Sequence, residues 1–183
     1  MTGAGQPSTT HDNGAENELR RWMALYANLR IGDPSWAHSS IADLTATHGT
    51  YHDPSPWTRA DEQQPGRCFE VATLWAERAG WTYIEGFALA PSAWPFPVFE
   101  HAWCLTADGL VADPALPDGT ATGYFGIALS DAYRREQQSN RGTNAVFASD
   151  PANPLAGINE QALREGLPPS ALAPRTTNPP PIR

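Results

Sequence analysis

The sequence predicts an α+β fold, in which a helix bearing a cysteine packs on an antiparallel β-sheet and further helices precede it. Three observations carry this. Residues 16–30, E-N-E-L-R-R-W-M-A-L-Y-A-N-L-R, place apolar side chains at helical steps. A second helical run, 67–79, opens on Cys68. After it come strand-forming runs at 81–89, 98–106 and 110–113, separated by turn residues.

In chain order, residues 1–15 are small and polar and read as disordered. In the helix at 16–30, Leu19, Trp22, Met23, Tyr26 and Leu29 form the apolar stripe, and Gly32, Asp33 and Pro34 stop it. Residues 37–47 can hold a second short helix. The stretch 51–66 contains three prolines and reads as loop. In the helix at 67–79, Cys68, Ala72, Trp75, Ala76 and Ala79 share a stripe, and Gly80 is the natural stop. The strands follow, with a fourth at 124–129 and a helix from 130 capped by Ser130 or Asp131. From 139 the order weakens, apart from a helical turn or two at 159–166. Residues 167–183 hold six prolines and read as a disordered tail. The expected domain is therefore 16–166.

Composition narrows the function. The 183 residues suffice for one sizeable core. The formal net charge of -8 argues against a nucleic-acid backbone as partner. No apolar run approaches the ~20 residues of a membrane helix, so no membrane partner is expected. The first residues lack the basic start and apolar stretch of a signal peptide. Cytoplasmic localisation is the expectation, and two cysteines are too few for a disulfide scaffold. The basic residues are all arginine, which reads as coding bias.

The chemistry centres on Cys68. A thiol at a helix N-terminus sits where unpaired backbone N–H groups favour the thiolate. To act as a nucleophile it needs a base within hydrogen-bond reach and a third group to hold that base. His101 lies on the run V-F-E-H-A-W-C-L-T, and Asp113 ends the next strand. Alternation puts His101, Trp103 and Leu105 on one strand face and Cys104 on the other.

The turn decides whether Asp113 can join them. A two-residue turn at Asp108-Gly109 pairs Ala107 with Leu110 and sets Asp113 opposite Cys104, on the wrong face. A three-residue turn at Ala107-Asp108-Gly109 pairs Thr106 with Leu110. It sets Asp113 opposite Trp103, diagonal to His101 and within side-chain reach. The three-residue form, with glycine in the left-handed position, is the expectation because it also faces Leu105 with Val111. The proline after Asp113 holds the strand end extended.

Each piece alone has a plainer reading. A single helix cysteine is usually core, a strand histidine is usually structural, and D-P commonly just ends a strand. Cys104 reads as core. His48, His52 and Asp53 are a possible metal set, but Gly49 and Thr50 break the helical spacing it needs. The leading expectation calls for no metal and no cofactor.

The segments G-R-C-F-E-V-A-T-L-W, E-H-A-W-C-L and D-G-L-V-A-D-P together resemble the transglutaminase-like superfamily, a branch of the papain-like cysteine enzymes, over about residues 64–116. The Y-I-E-G-F-A and Y-F-G segments resemble a small bacterial and phage subgroup. The resemblance implies a papain/transglutaminase-like core, with Cys68 as nucleophile, His101 as general base and then acid, and Asp113 as the residue that orients it. It places the Cys68 backbone N–H in an oxyanion hole. The second donor in such enzymes is an upstream side chain. Gln63, Gln64 and Trp57 are the candidates, with Trp103 added on the oxyanion or substrate side. The implied activity is acyl transfer through a thioester, with a peptide or amide-containing substrate and water or an amine as acceptor. Hydrolysis is favoured because nothing marks an amine site. The Trp94-Pro95-Phe96-Pro97 loop is a candidate cleft wall. The competing expectation is a catalytically silent binding or phage accessory protein that keeps the fold.

Overall fold

The computed structural model describes residues 14–29, 33–56 and 66–174. It is an α+β structure whose centre is a five-stranded antiparallel sheet. The elements run α1 (Gly14–Asn28), α2 (Ile41–His48), β1 (Thr50–His52), α3 (Cys68–Ala79), β2 (Thr82–Leu89), β3 (Val98–Leu105), β4 (Val111–Ala112), β5 (Gly123–Ala128), α4 (Asp131–Arg141) and α5 (Glu160–Glu165). The strand order across the sheet is β1-β5-β2-β3-β4. No helix among the described residues is long and apolar enough to cross a membrane.

Local chemistry sets most boundaries. Ser40 caps α2 by accepting from the Asp43 N–H, and Ser130 rather than Asp131 caps α4 by accepting from the Tyr133 N–H. Gly80 ends α3 in the left-handed conformation, φ 65°. On α1, Leu19 and Met23 are buried, Trp22 and Tyr26 pack half-buried beside them, and Leu29, past the helix end, is exposed.

The sheet has two unlike faces. On one, Tyr83, Phe87, Ala102, Cys104, Phe125 and Ile127 join Leu19 and Met23 of α1 and Ala72 and Ala76 of α3 in the main core. On the other, Ile84, Ala88, Trp103, Val111 and Tyr124 form a smaller cluster with Ala121 and the half-buried Leu116. Alternation along β3 thus sends Cys104 to the helix side and Trp103 to the other. Cys104 is core: its thiol donates to the Ala72 carbonyl at 3.2 Å, and burial pushes it up to about 12, so it stays protonated.

Four sequence expectations differ from the structure. The loop expected at 51–66 begins as the three-residue strand β1, which pairs Thr50, Tyr51 and His52 with Gly126, Phe125 and Tyr124. A strand so short carries no readable alternation, and its partner fixes it. On α3 the buried stripe is Phe69, Val71, Ala72 and Ala76, while Cys68 and Trp75 are half-buried and Ala79 is exposed. The weakly ordered stretch expected after 139 contains Ala145, Val146, Phe147 and Ala148, all buried in the main core. The tail expected to be disordered from 167 is docked through its first residues. Ser130 N–H donates to the Ala171 carbonyl at 2.8 Å and Ala173 N–H to the Ala128 carbonyl at 2.9 Å. The expectation for the first residues concerns 1–13 almost wholly, and these lie outside the described residues, as do 175–183.

Candidate active site

The β3–β4 hairpin has the three-residue turn. Leu105 pairs with Val111 and Cys104 with Ala112, so the next step sets Asp113 opposite Trp103. Thr106 N–H donates to the Leu110 carbonyl at 2.9 Å, and Gly109 takes a left-handed φ of 76°. The turn needs that conformation, which a Cβ would strain.

From this register His101 Nε2 and Asp113 Oδ2 come to 2.8 Å, with both side chains buried. Asp113 is fully engaged. Oδ2 also accepts from the Tyr124 hydroxyl at 2.9 Å, and Oδ1 accepts from the Ala115 and Leu116 N–H groups at 2.9 and 3.1 Å. Burial works against the carboxylate charge. His101 and the two backbone donors outweigh it and hold Asp113 below the ordinary aspartate value. Burial and the Asp113 charge push the Tyr124 hydroxyl up, so it remains a donor.

Cys68 completes the group. With Nε2 committed to Asp113, Nδ1 is the ring nitrogen left free for the Cys68 thiol, which lines the same cavity as His101. Burial disfavours the charged ring. Asp113 first and Cys68 second outweigh that, and His101 is raised to about 10. The thiol and the imidazole approach from opposite sides of the sheet. α3 covers the Cys104 face, whereas His101 lies with Phe99, Trp103 and Tyr124. They meet at the β3 edge. β4 pairs only with Leu105 and Cys104, so the earlier part of β3 has no strand beside it there. A cavity of about 270 Å³ opens at this place, lined by Cys68, His101, Phe99, Glu100, Leu116 and Ser149 among others.

Arg67 precedes Cys68 at the helix start and offers no side-chain cap to the first turn; it pairs instead with Glu70. The backbone N–H groups at the Cys68 end of α3 are therefore not closed off by a capping side chain of the helix itself.

Trp103 requires a correction. It is fully buried, stacked 6.3 Å behind the His101 ring at 15°, with its indole over Gly126. It supports the imidazole from the far side and does not line the cavity. Trp94 and Phe96 are exposed on the β2–β3 connection, and it is Phe99 rather than either of them that lines the cavity. Trp57, Gln63 and Gln64 lie outside the described residues. His48 packs edge-on to His38, and His52 packs edge-on to Trp103. No group of three or more His, Cys, Asp or Glu among the described residues could hold a metal ion.

Sequence reasoning missed Tyr124, whose only signal is a tyrosine on a strand face that carries glycines. It also missed the wall formed by Ser149. The loop carrying Ser149 is held from below by Glu85, a buried carboxylate on β2. Glu85 accepts from the N–H groups of Val146, Phe147 and Ala148 at 2.6, 2.7 and 2.7 Å and from the Tyr83 hydroxyl at 2.9 Å. Thr143 donates to Asp150 at 2.7 Å on the other flank. Comparison with protein-family models, curated proteins and solved structures finds no match to this chain.

Proposed function

We propose that the chain is a cysteine-dependent acyl-transfer enzyme of the transglutaminase-like, papain-like kind, acting as a peptidase or amidase through a Cys68-His101-Asp113 triad. The observation that carries the reading is the placement of His101. One ring nitrogen is held by a fully satisfied buried carboxylate, and the ring lines one cavity with the half-buried thiol of Cys68. A cysteine serving only as core would resemble Cys104, buried and bonded to a helix carbonyl.

In this mechanism the Cys68 proton passes to His101 Nδ1 as Sγ attacks the amide carbon. The Cys68 backbone N–H faces the oxygen that gains charge. His101 returns the proton to the departing amine, the C–N bond breaks, and a thioester remains. Water then attacks the thioester carbon while His101 takes its proton. The S–C bond breaks, the acid leaves, and the thiol is restored. Asp113 stays ionised throughout, fixing the ring and stabilising its charged form.

A thiol-reactive activity probe tests this. Labelling at Cys68 faster than free cysteine, abolished in Cys68→Ala and strongly slowed in His101→Ala, is the expected result. Labelling no faster than free cysteine would leave the fold as a silent binding scaffold.

A further inference from the structure

Glu100 stands where two cavities meet. It lines the cavity holding Cys68 and His101, and it also lines a larger recess of about 380 Å³. That recess is walled by Tyr26 of α1, Ile41 of α2, Phe87 of β2, Val98 and Phe99 of β3, and Ile158. Phe99 and Glu100 are common to both, so this recess adjoins the Cys68 cavity along β3. Apart from Glu100 itself, its walls are predominantly apolar.

The Glu100 side chain is exposed to water although protein surrounds it on several sides. The groups that act on it are Tyr26 from α1 and Glu85 from β2, and neither is a cation. No basic side chain among the described residues pairs with it. A carboxylate in such a place, with the chain as a whole at a net charge of -8, has its natural partner in solution.

We propose that this recess is the substrate subsite and that it takes a basic side chain on the residue that supplies the acyl group. The alkyl stem lies along Tyr26 and Phe87, on the sheet face that Glu100 shares, and the ammonium or guanidinium pairs with Glu100. The pairing of an apolar trough with one charge suits lysine and arginine, whose long methylene stems bury while the head group stays solvated. The proposal rests on the acyl-transfer reading for its chemistry, and it names the substrate class that the chemistry acts on.

The experiment compares an acetyl-lysine fluorogenic amide with its acetyl-norleucine counterpart on the full chain at pH 8. At that pH Glu100, raised to about 7 by surrounding protein and then by Glu85, is ionised. The lysine substrate is expected to show a kcat/KM about tenfold higher. Glu100→Gln is expected to abolish that preference, so that the ratio of kcat/KM for the lysine and norleucine substrates, measured within the variant, falls to about one. Equal rates in the wild type, or a preference that survives in Glu100→Gln, would overturn the subsite. The non-reacting acetyl-lysine and acetyl-norleucine methylamides are also titrated onto Cys68→Ala. Selective lysine binding there without any turnover by the wild type would sink the acyl-transfer reading and leave the subsite standing. Turnover of both amides without lysine selectivity in either assay would do the reverse.

Discussion

His101 Nε2 lies 2.8 Å from Asp113 Oδ2 because the β3–β4 turn has three residues. One residue fewer would slip the register by one, sending Asp113 to the helix side of the sheet. The pair therefore depends on the left-handed Gly109 as much as on its own atoms.

The pair makes stability depend on pH in a defined window. His101 is raised from 6.5 to about 10, so its contribution is complete below 6.5 and is lost as pH rises through about 10. Asp113 is held below 3.8, so its contribution is complete above 3.8 and is lost as pH falls through its lower folded value. The plateau spans the interval between 3.8 and 6.5. Thermal unfolding across pH should show both limbs, and Asp113→Asn should flatten both. The same substitution should slow Cys68 alkylation at pH 7 by about tenfold or more, because His101 loses the charge that favours its protonated form. An unchanged rate would separate Asp113 from the thiol.

Tyr124→Phe removes one of the donors on Asp113 without creating a large cavity. A hydrogen bond to a buried charged group of this kind contributes about 1.5–3 kcal/mol. Denaturant unfolding should show a loss of that size. The acid limb of the stability profile should move to higher pH, since Asp113 is then less well held.

Gly126→Ala tests the support behind the imidazole. An added Cβ would sit 2.5 Å from Trp103 Cη2 and 2.7 Å from Ile84 Cγ2. The indole would have to move away from the ring it backs. Overpacking of this kind costs about 1–3 kcal/mol. The change in Trp103 environment should appear in near-UV circular dichroism together with a slower probe reaction at Cys68. A variant with wild-type stability and spectrum would refute the packing argument.

Glu85→Ala should loosen the wall of the site from beneath. It orphans three consecutive backbone donors, Val146, Phe147 and Ala148. Buried donors left unpaired cost about 1–3 kcal/mol each, so a total loss of about 3 kcal/mol or more is expected. Amide hydrogen exchange should accelerate first at 146–148. Exchange that rises uniformly over the chain instead would mean that Glu85 holds no particular segment.

Much of this was legible in the sequence because it is local. The α3 start and stop, the β2 and β3 runs and the hairpin register follow from residue spacing, from Gly80 and from Gly109. So do the shared face of His101 and Trp103 and the opposite face of Cys104. Each depends on residues a few positions apart, where backbone preference and side-chain alternation act directly.

Tertiary structure alone decided the rest. The stripe on α3 turned toward Phe69, leaving Cys68 half-buried at its margin, because the sheet behind it offers Ala102 and Cys104 as the surface to pack against. Residues 145–148 became core, where Glu85, a carboxylate some sixty positions earlier, accepts the N–H groups of Val146, Phe147 and Ala148. Tyr124 reached Asp113 across two intervening strands. The tail held because the carbonyl of Ala171 and the N–H of Ala173 found partners in Ser130 and Ala128, at and just past the end of β5. None of these partners is marked by periodicity or turn chemistry. They exist only once the sheet has brought distant backbone groups within hydrogen-bond reach, where a buried polar group left alone would cost more than the order needed to pair it.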